Sequence, residues 1–162
     1  MRDWSSRPFE ERNLFNPAFC AVVLAAAIRE YERVSGKPMP YSLTLLVLPM
    51  CLHLASREQI LENKRLSVLR VFALRPDLLV DFAERARALV QYATEAFALL
   101  ARKDCIKVGD DGGISLIPRR VSPQPLNTED AERCRGAAVV LGRDLAQIND
   151  RVTVYTSLSI RP

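Results

Sequence analysis

Apolar residues recur along most of the chain at spacings of three and four, which predicts a mainly helical fold. The clearest helix is predicted over residues 76–103, where one apolar stripe continues for three heptads. The stripe consists of Leu79, Phe82, Ala86, Leu89, Ala93, Ala96 and Leu100. An amphipathic helix of this kind buries its apolar side, so we expect it to pack within its own fold rather than in an intermolecular coiled coil.

Two further long helices are predicted from the signals at their ends. Asn16 and Pro17 form a helix start and Gly36 a helix stop, which predicts a first helix over residues 16–35 after an N-terminal arm, residues 1–15. The first half of this helix is apolar on nearly all sides and should lie at the centre of the core. A last long helix is predicted over residues 128–148, with acidic residues in its first turn, where the helix dipole favours them.

A β-hairpin is predicted over residues 105–117, where two short β-prone runs flank a turn rich in Gly and Asp. A hairpin that directly follows a long amphipathic helix is the outline of a winged helix-turn-helix domain, in which the hairpin is the wing. The predicted fold is therefore mainly α with a small β-hairpin, a winged helix-turn-helix-like single domain over residues 1–162.

The sequence pattern does not decide between helix and strand for two segments. Residues 42–54 are too uniformly apolar for periodicity to decide, and their length favours a helix that Pro49 would kink. The tail, residues 151–162, alternates apolar and polar side chains around Val152 and Val154, which favours a strand.

The net charge of the chain is compatible with binding to nucleic acid but does not by itself indicate it. The 162 residues carry a net charge of +4, far below that of a protein that wraps DNA. Acidic residues are interspersed, so a solvated surface is the alternative. The candidate nucleic-acid-binding residues are Lys64, Arg65, Arg70, Lys107, Arg119 and Arg120.

Groups that could perform catalysis are scarce. His53 is the single histidine and lies in an apolar run, so we expect a half-buried structural residue rather than a general base. The four cysteines, Cys20, Cys51, Cys105 and Cys134, lack the spacing of a zinc motif and are expected to pack as reduced thiols. We therefore predict a non-enzymatic protein without metal or cofactor.

The expected location is the cytoplasm, where thiols stay reduced. The apolar run over residues 18–28 is too short to cross a bilayer and is flanked by charged residues, so neither a signal peptide nor a membrane span is predicted.

Several segments together resemble one known family. Residues 4–8, Trp-Ser-Ser-Arg-Pro, and residues 13–20, which contain Asn-Pro-Ala-Phe-Cys, resemble the opening of the middle-component proteins of bacterial three-component ABC systems. The resemblance continues at residues 48–53, 82–86, 142–146 and 158–162. It departs at Ser159, where the family ending usually has Gly, a residue suited to left-handed backbone. The resemblance implies that the segment around Pro49 is helical and that the tail is a short helix.

The resemblance also implies a function. It suggests a non-catalytic adaptor between an SMC/Rad50-like ABC ATPase and an effector-bearing protein of the same operon, in anti-phage or anti-plasmid defence. Trp and Arg are favoured interface anchors, so the partner-binding candidates lie in the arm: Trp4, Arg7, Pro8 and Phe9. Packing of Trp4 on the protein's own core is the alternative for that residue.

Another function remains open, a DNA-binding winged-helix transcriptional regulator. Direct contact with DNA inside a larger complex and formation of a homodimer are also left open.

Overall fold

The computed structural model describes residues 15–122 and 124–160. Its helices are α1 (Pro17–Ser35), α2 (Tyr41–Thr44), α3 (Val47–Cys51), α4 (Leu54–Glu62), α5 (Val68–Leu74), α6 (Phe82–Arg102), α7 (Glu129–Ile148) and α8 (Arg151–Ser157). A 3₁₀ turn spans Pro76–Leu79, and the strands are β1 (Met39–Pro40), β2 (Ile106–Val108) and β3 (Gly113–Leu116). The prediction of a mainly helical chain with a small hairpin is confirmed.

Helix α1 begins and ends at the predicted signals. The Asn16 side chain accepts a hydrogen bond of 2.8 Å from the N–H of Ala18, and Pro17 occupies the first turn. Gly36 closes the helix in the left-handed conformation, with φ at 67°, and its N–H donates to the carbonyl of Glu32. Residues 23–28 are all buried, as the uniformly apolar sequence predicts.

Helix α7 lies beside α1 and runs in the same direction. Cys134 is near Cys20 at one end of the pair, and Gly142 touches Ala27 further along. A Cβ atom on Gly142 would lie 2.3 Å from the carbonyl oxygen of Ala27, so the two backbones meet without a side chain between them. Helix α6 packs against α1 as well, which places α1 between two long helices and explains its burial.

The hairpin pairs with a third strand that the sequence pattern did not predict. The antiparallel sheet has the order β1-β3-β2, with Met39 opposite Ile114 and Ile106 opposite Leu116. A Cβ atom on Gly113 would lie 2.7 Å from the Cβ of Pro38, so only glycine lets β3 approach β1 this closely. The hairpin turn is thus held against β1.

The long amphipathic helix is shorter than predicted. Pro76–Leu79 form a separate 3₁₀ turn, and α6 begins at Phe82 because Asp81 adopts the left-handed conformation, with φ at 55°. The segment over residues 42–54 is helical but divided into α2, α3 and the start of α4. Pro49 lies in the first turn of α3. A backbone N–H in the first turn has no carbonyl partner within the helix, so proline costs no hydrogen bond there.

The tail is a helix, so the strand favoured by its alternation is wrong and the helix implied by the family resemblance is confirmed. Asn149 ends α7 with φ at 50°, and Asp150 caps α8 by accepting from the N–H of Val152 at 2.9 Å. Val154 and Leu158, four residues apart, are buried, which is helical spacing. Ser159 adopts the left-handed conformation, with φ at 56°, at the position where the family ending usually has Gly.

The Gly142→Ala substitution should destabilise the fold strongly. The added methyl group would overlap the backbone of α1, and we expect a loss of about 3 kcal/mol in the free energy of unfolding, the upper end of the cost of overpacking. Urea unfolding followed by circular dichroism measures this loss.

Gly136→Ala in the same helix is the matched control. A Cβ atom there meets only Leu61, at an ordinary 3.7 Å, so replacing glycine should raise stability by up to about 1 kcal/mol through helix propensity. Equal effects of the two substitutions would contradict the close backbone contact at Gly142.

Candidate functional site

The predicted partner-binding residues of the arm, Trp4, Arg7, Pro8 and Phe9, lie outside the described residues. The described chain starts at Phe15, whose ring stacks on Tyr92 of α6 with centroids 4.4 Å apart and an interplanar angle of 24°. This contact anchors the C-terminal end of the arm on α6. The proposed role of the four residues stays a prediction.

The six basic candidates are all exposed and form two groups. Lys64, Arg65 and Arg70 lie on the connection between α4 and α5 and on α5, whereas Lys107, Arg119 and Arg120 lie on β2 and directly after β3. Within residues 15–122 and 124–160, no hydrogen bond or ion pair joins one group to the other. The set therefore divides into two local surfaces.

The turn of the hairpin carries carboxylates of its own. The turn between β2 and β3 contains Asp110 and Asp111, both exposed. The Asp111 side chain accepts from the N–H of Gly113 at 2.9 Å and so shapes the turn. The strand register pairs Ile106 with Leu116, and the N–H of Ile117 donates to the carbonyl of Cys105, so Arg119 and Arg120 follow the end of the hairpin opposite to this turn.

The second group belongs to a surface that combines cations with exposed leucines. We call it the α5 surface and define it as Lys64, Arg65, Leu66, Arg70 and Leu74. Leu66 is 40% exposed and Leu74 is 58% exposed. In the described part of the chain, the side chains of Lys64, Arg65 and Arg70 make no hydrogen bond and no ion pair. Exposed apolar side chains beside arginine are typical of protein interfaces.

Helix α7 holds the backbone of this surface from beneath. The Arg143 guanidinium donates to the carbonyl of Lys64 at 2.7 Å, and the buried Asp144 carboxylate accepts from the N–H of Val68 at 3.1 Å. Arg143 also donates to Asp144 at 3.2 Å. At the start of α5, the Ser67 hydroxyl accepts from the N–H of Arg70 at 3.3 Å. The first turn of α5 is therefore fixed by Asp144 and Ser67, and the segment before it by Arg143.

Asp144 is the most deeply buried carboxylate in the described residues, at 3% exposure. Burial raises the pKa of this carboxyl group, against the opposing effects of Arg143 and of the Val68 N–H. Sequence reasoning missed Asp144. The available signal was its position three residues after Leu141 and next to Leu145, on the predicted buried side of the last helix.

A second charged contact joins α4 to α7. Arg57 is only 3% exposed; its guanidinium donates to the Cys134 sulfur at 2.8 Å and pairs with the Asp130 carboxylate. Beside it, Arg133 pairs with Glu58, and this hydrogen bond is the main cause that lowers the pKa of Glu58. Both pairs fix α4 on the first half of α7, and sequence reasoning missed them as well.

The groups considered for chemistry have structural roles. His53 caps α4, and its Nδ1 lies 2.8 Å from the Ser56 hydroxyl. Burial, followed by the charge of Arg85, lowers the pKa of His53.

The four cysteines are free and buried, as predicted. Burial raises the pKa of Cys20 to about 12 and also raises the pKa of Cys51, so these thiols stay protonated and poorly nucleophilic.

The described residues contain no group of three or more His, Cys, Asp or Glu side chains that could hold a metal ion. They also contain no helix with the length and apolar character that a membrane crossing requires.

The family model for ABC-three component (ABC-3C) system Middle Component 3 matches residues 4–162. The match spans the arm and every described helix and strand. No curated protein and no solved structure matches the chain.

The Asp144→Asn substitution should change how stability depends on pH. The native pKa of Asp144 is raised above the unfolded value of about 3.9, so the native state binds more protons between the two values and stability falls as pH rises. The free energy of unfolding of the unchanged chain, minus that of D144N, should therefore fall as the pH rises above about 4. Urea unfolding at a series of pH values measures this difference.

Asp150→Asn is the control with the opposite sign. Hydrogen bonds from Thr153 and Val152 lower the pKa of Asp150, so the corresponding difference for D150N should rise with pH below about 5. A difference for D144N that is constant or rises over the same range would contradict the account of Asp144.

Proposed function

Because the chain belongs to the family of Middle Component 3 of ABC-three component systems, we propose that it is a non-catalytic adaptor. It bridges the SMC/Rad50-like ABC ATPase of its system and an effector-bearing protein of the same operon. The match over residues 4–162 is the observation that carries this proposal, since a middle component has its partners within the same system. The ATPase cycle would control which contacts of the adaptor are available.

The described side chains support recognition rather than bond-making. His53 is used as a helix cap, Arg57 and Asp144 hold helices together, and the cysteines are buried. The exposed features of the described residues include the α5 surface and the hairpin. Defence of a bacterial cytoplasm against phages or plasmids is the setting that the family resemblance suggests for this recognition.

The order of elements supports a winged-helix-like description of the fold. A helix, a two-residue strand, further helices, a long helix and a hairpin follow one another, with the strands in the order β1-β3-β2. In this description β2 and β3 are the wing.

A DNA-binding transcriptional regulator is the alternative function, supported by the six exposed basic residues. The exposed Leu66 and Leu74 beside the first basic group favour the adaptor, because exposed apolar side chains are typical of protein interfaces.

Co-purification of the three proteins of the system tests the adaptor and its arm. With Trp4→Ala/Arg7→Ala, we expect at least about tenfold lower recovery of one partner, because the aromatic and guanidinium anchors are removed. Trp4→Phe/Arg7→Lys keeps an aromatic ring and a positive charge and serves as the control. Undiminished recovery with the alanine variant would exclude the arm from the interface, and an unchanged chain that binds neither partner would refute the adaptor.

A salt titration of DNA binding separates the two functions. The adaptor predicts that the purified chain alone does not bind duplex DNA at low salt. A regulator would bind with an affinity that falls steeply with salt concentration and would lose affinity on Lys107→Gln/Arg119→Gln/Arg120→Gln. Fluorescence anisotropy of a labelled duplex between about 50 and 200 mM salt measures both.

A further inference from the structure

We propose that the α5 surface is the docking site for an acidic, amphipathic segment of one of the other two proteins of the system. This inference rests on the proposed adaptor function and identifies the surface and the chemistry of the partner that fits it.

The apolar part of the α5 surface faces away from the protein's own core. Val68, Val71 and Phe72 bury the inner side of α5, whereas Arg70 and Leu74 project from the outer side. Leu66 is exposed in the turn before the helix, where its N–H donates to the carbonyl of Asn63 at 2.8 Å. Two leucines of one small surface therefore stay in contact with water unless another molecule covers them.

The two arginines of the α5 surface have no ion-pair partner within the described chain. Residues 63–76 contain no acidic side chain, and Arg75 is already paired with Asp77 at the edge of this segment. Arg65 and Arg70 are exposed and form no ion pair with any described residue. Arginine binds carboxylates in a planar, two-point geometry, so the complementary partner carries Asp or Glu between apolar residues.

The surroundings favour a polypeptide over a nucleic acid. Lys64 lines a surface cavity of about 430 Å³ whose other charged lining residues are Glu62, Glu129, Glu132 and Arg133. We therefore place the contacts with the partner's carboxylates at Arg65 and Arg70 rather than at Lys64. The exposed leucines give a nucleic acid backbone nothing to bind, whereas the apolar side of a protein segment can cover them.

The surface is also preorganised for binding. Arg143 and Asp144 fix the backbone at Lys64 and Val68, and the Ser67 side chain caps the helix. A partner that binds there does not have to order the first turn of α5, which lowers the entropic cost of association.

Charge reversal in the full-length chain tests this site against the two purified partner proteins. With Arg65→Glu/Arg70→Glu, we expect the affinity for one partner to fall at least about tenfold and the affinity for the other to remain unchanged. Leu66→Ser/Leu74→Ser should weaken the same partner, because it removes the apolar contact without changing charge. Biolayer interferometry measures the affinities, and thermal unfolding verifies that each variant is folded.

Arg87→Glu/Arg102→Glu is the matched control, since both residues are exposed on α6 and the variant has the same net charge. Equal loss in the two charge-reversed variants would overturn the docking site, because overall charge would explain the binding. Unchanged partner affinity in R65E/R70E would overturn it while leaving the adaptor intact. If R65E/R70E still binds both partners but specifically loses DNA binding, the α5 surface is a nucleic-acid surface and the proposed docking site is wrong. An unchanged chain that binds neither partner would instead refute the adaptor function itself.

Discussion

The contact between Gly142 of α7 and Ala27 of α1 determines how the remaining elements are arranged. Without a Cβ atom at Gly142 the two helix backbones meet directly, and the residues around the contact are buried. Helix α6 packs on α1, and the N–H of Leu116 in β3 donates to the Glu32 carboxylate of α1 at 3.1 Å. The hairpin and the long amphipathic helix are therefore positioned by α1, which α7 in turn holds.

Charged contacts add to the apolar packing of α4 and α5 on helix α7. Arg57 with Asp130 fixes α4, and Arg143 with Asp144 fixes the start of α5. Arg57 and Asp144 are buried, and a buried charge is costly to leave unpaired, so these contacts select one arrangement of the helices. For an adaptor, the consequence is a surface whose backbone is fixed before any partner binds.

Features that depend on neighbours in sequence could be predicted, and those that depend on tertiary contacts could not. The caps at Asn16 and Gly36 and the hairpin turn are local, and the structure confirms them. The two-residue strand β1 has no pattern of its own and exists because it pairs with β3. The prediction of a strand for the tail rested on the alternation of Val152 and Val154, and two residues are too few to distinguish a strand from a helix. The buried residues are instead Val154 and Leu158, which are four positions apart, as on one side of a helix. The roles of Arg57 and Asp144 follow from burial, which a sequence pattern does not report for charged residues.

Hydrogen–deuterium exchange of the full-length chain, alone and bound to its two partners, tests most directly whether a rigid core presents separate recognition surfaces. The account predicts that amides of α1 and α7 exchange slowest in both states, and that new protection on binding appears in outer segments such as residues 64–74. Fast exchange of α1 and α7 in the free chain, with protection gained there only on binding, would contradict it. The partner would then order the core, and the contact at Gly142 would not be what holds the adaptor together.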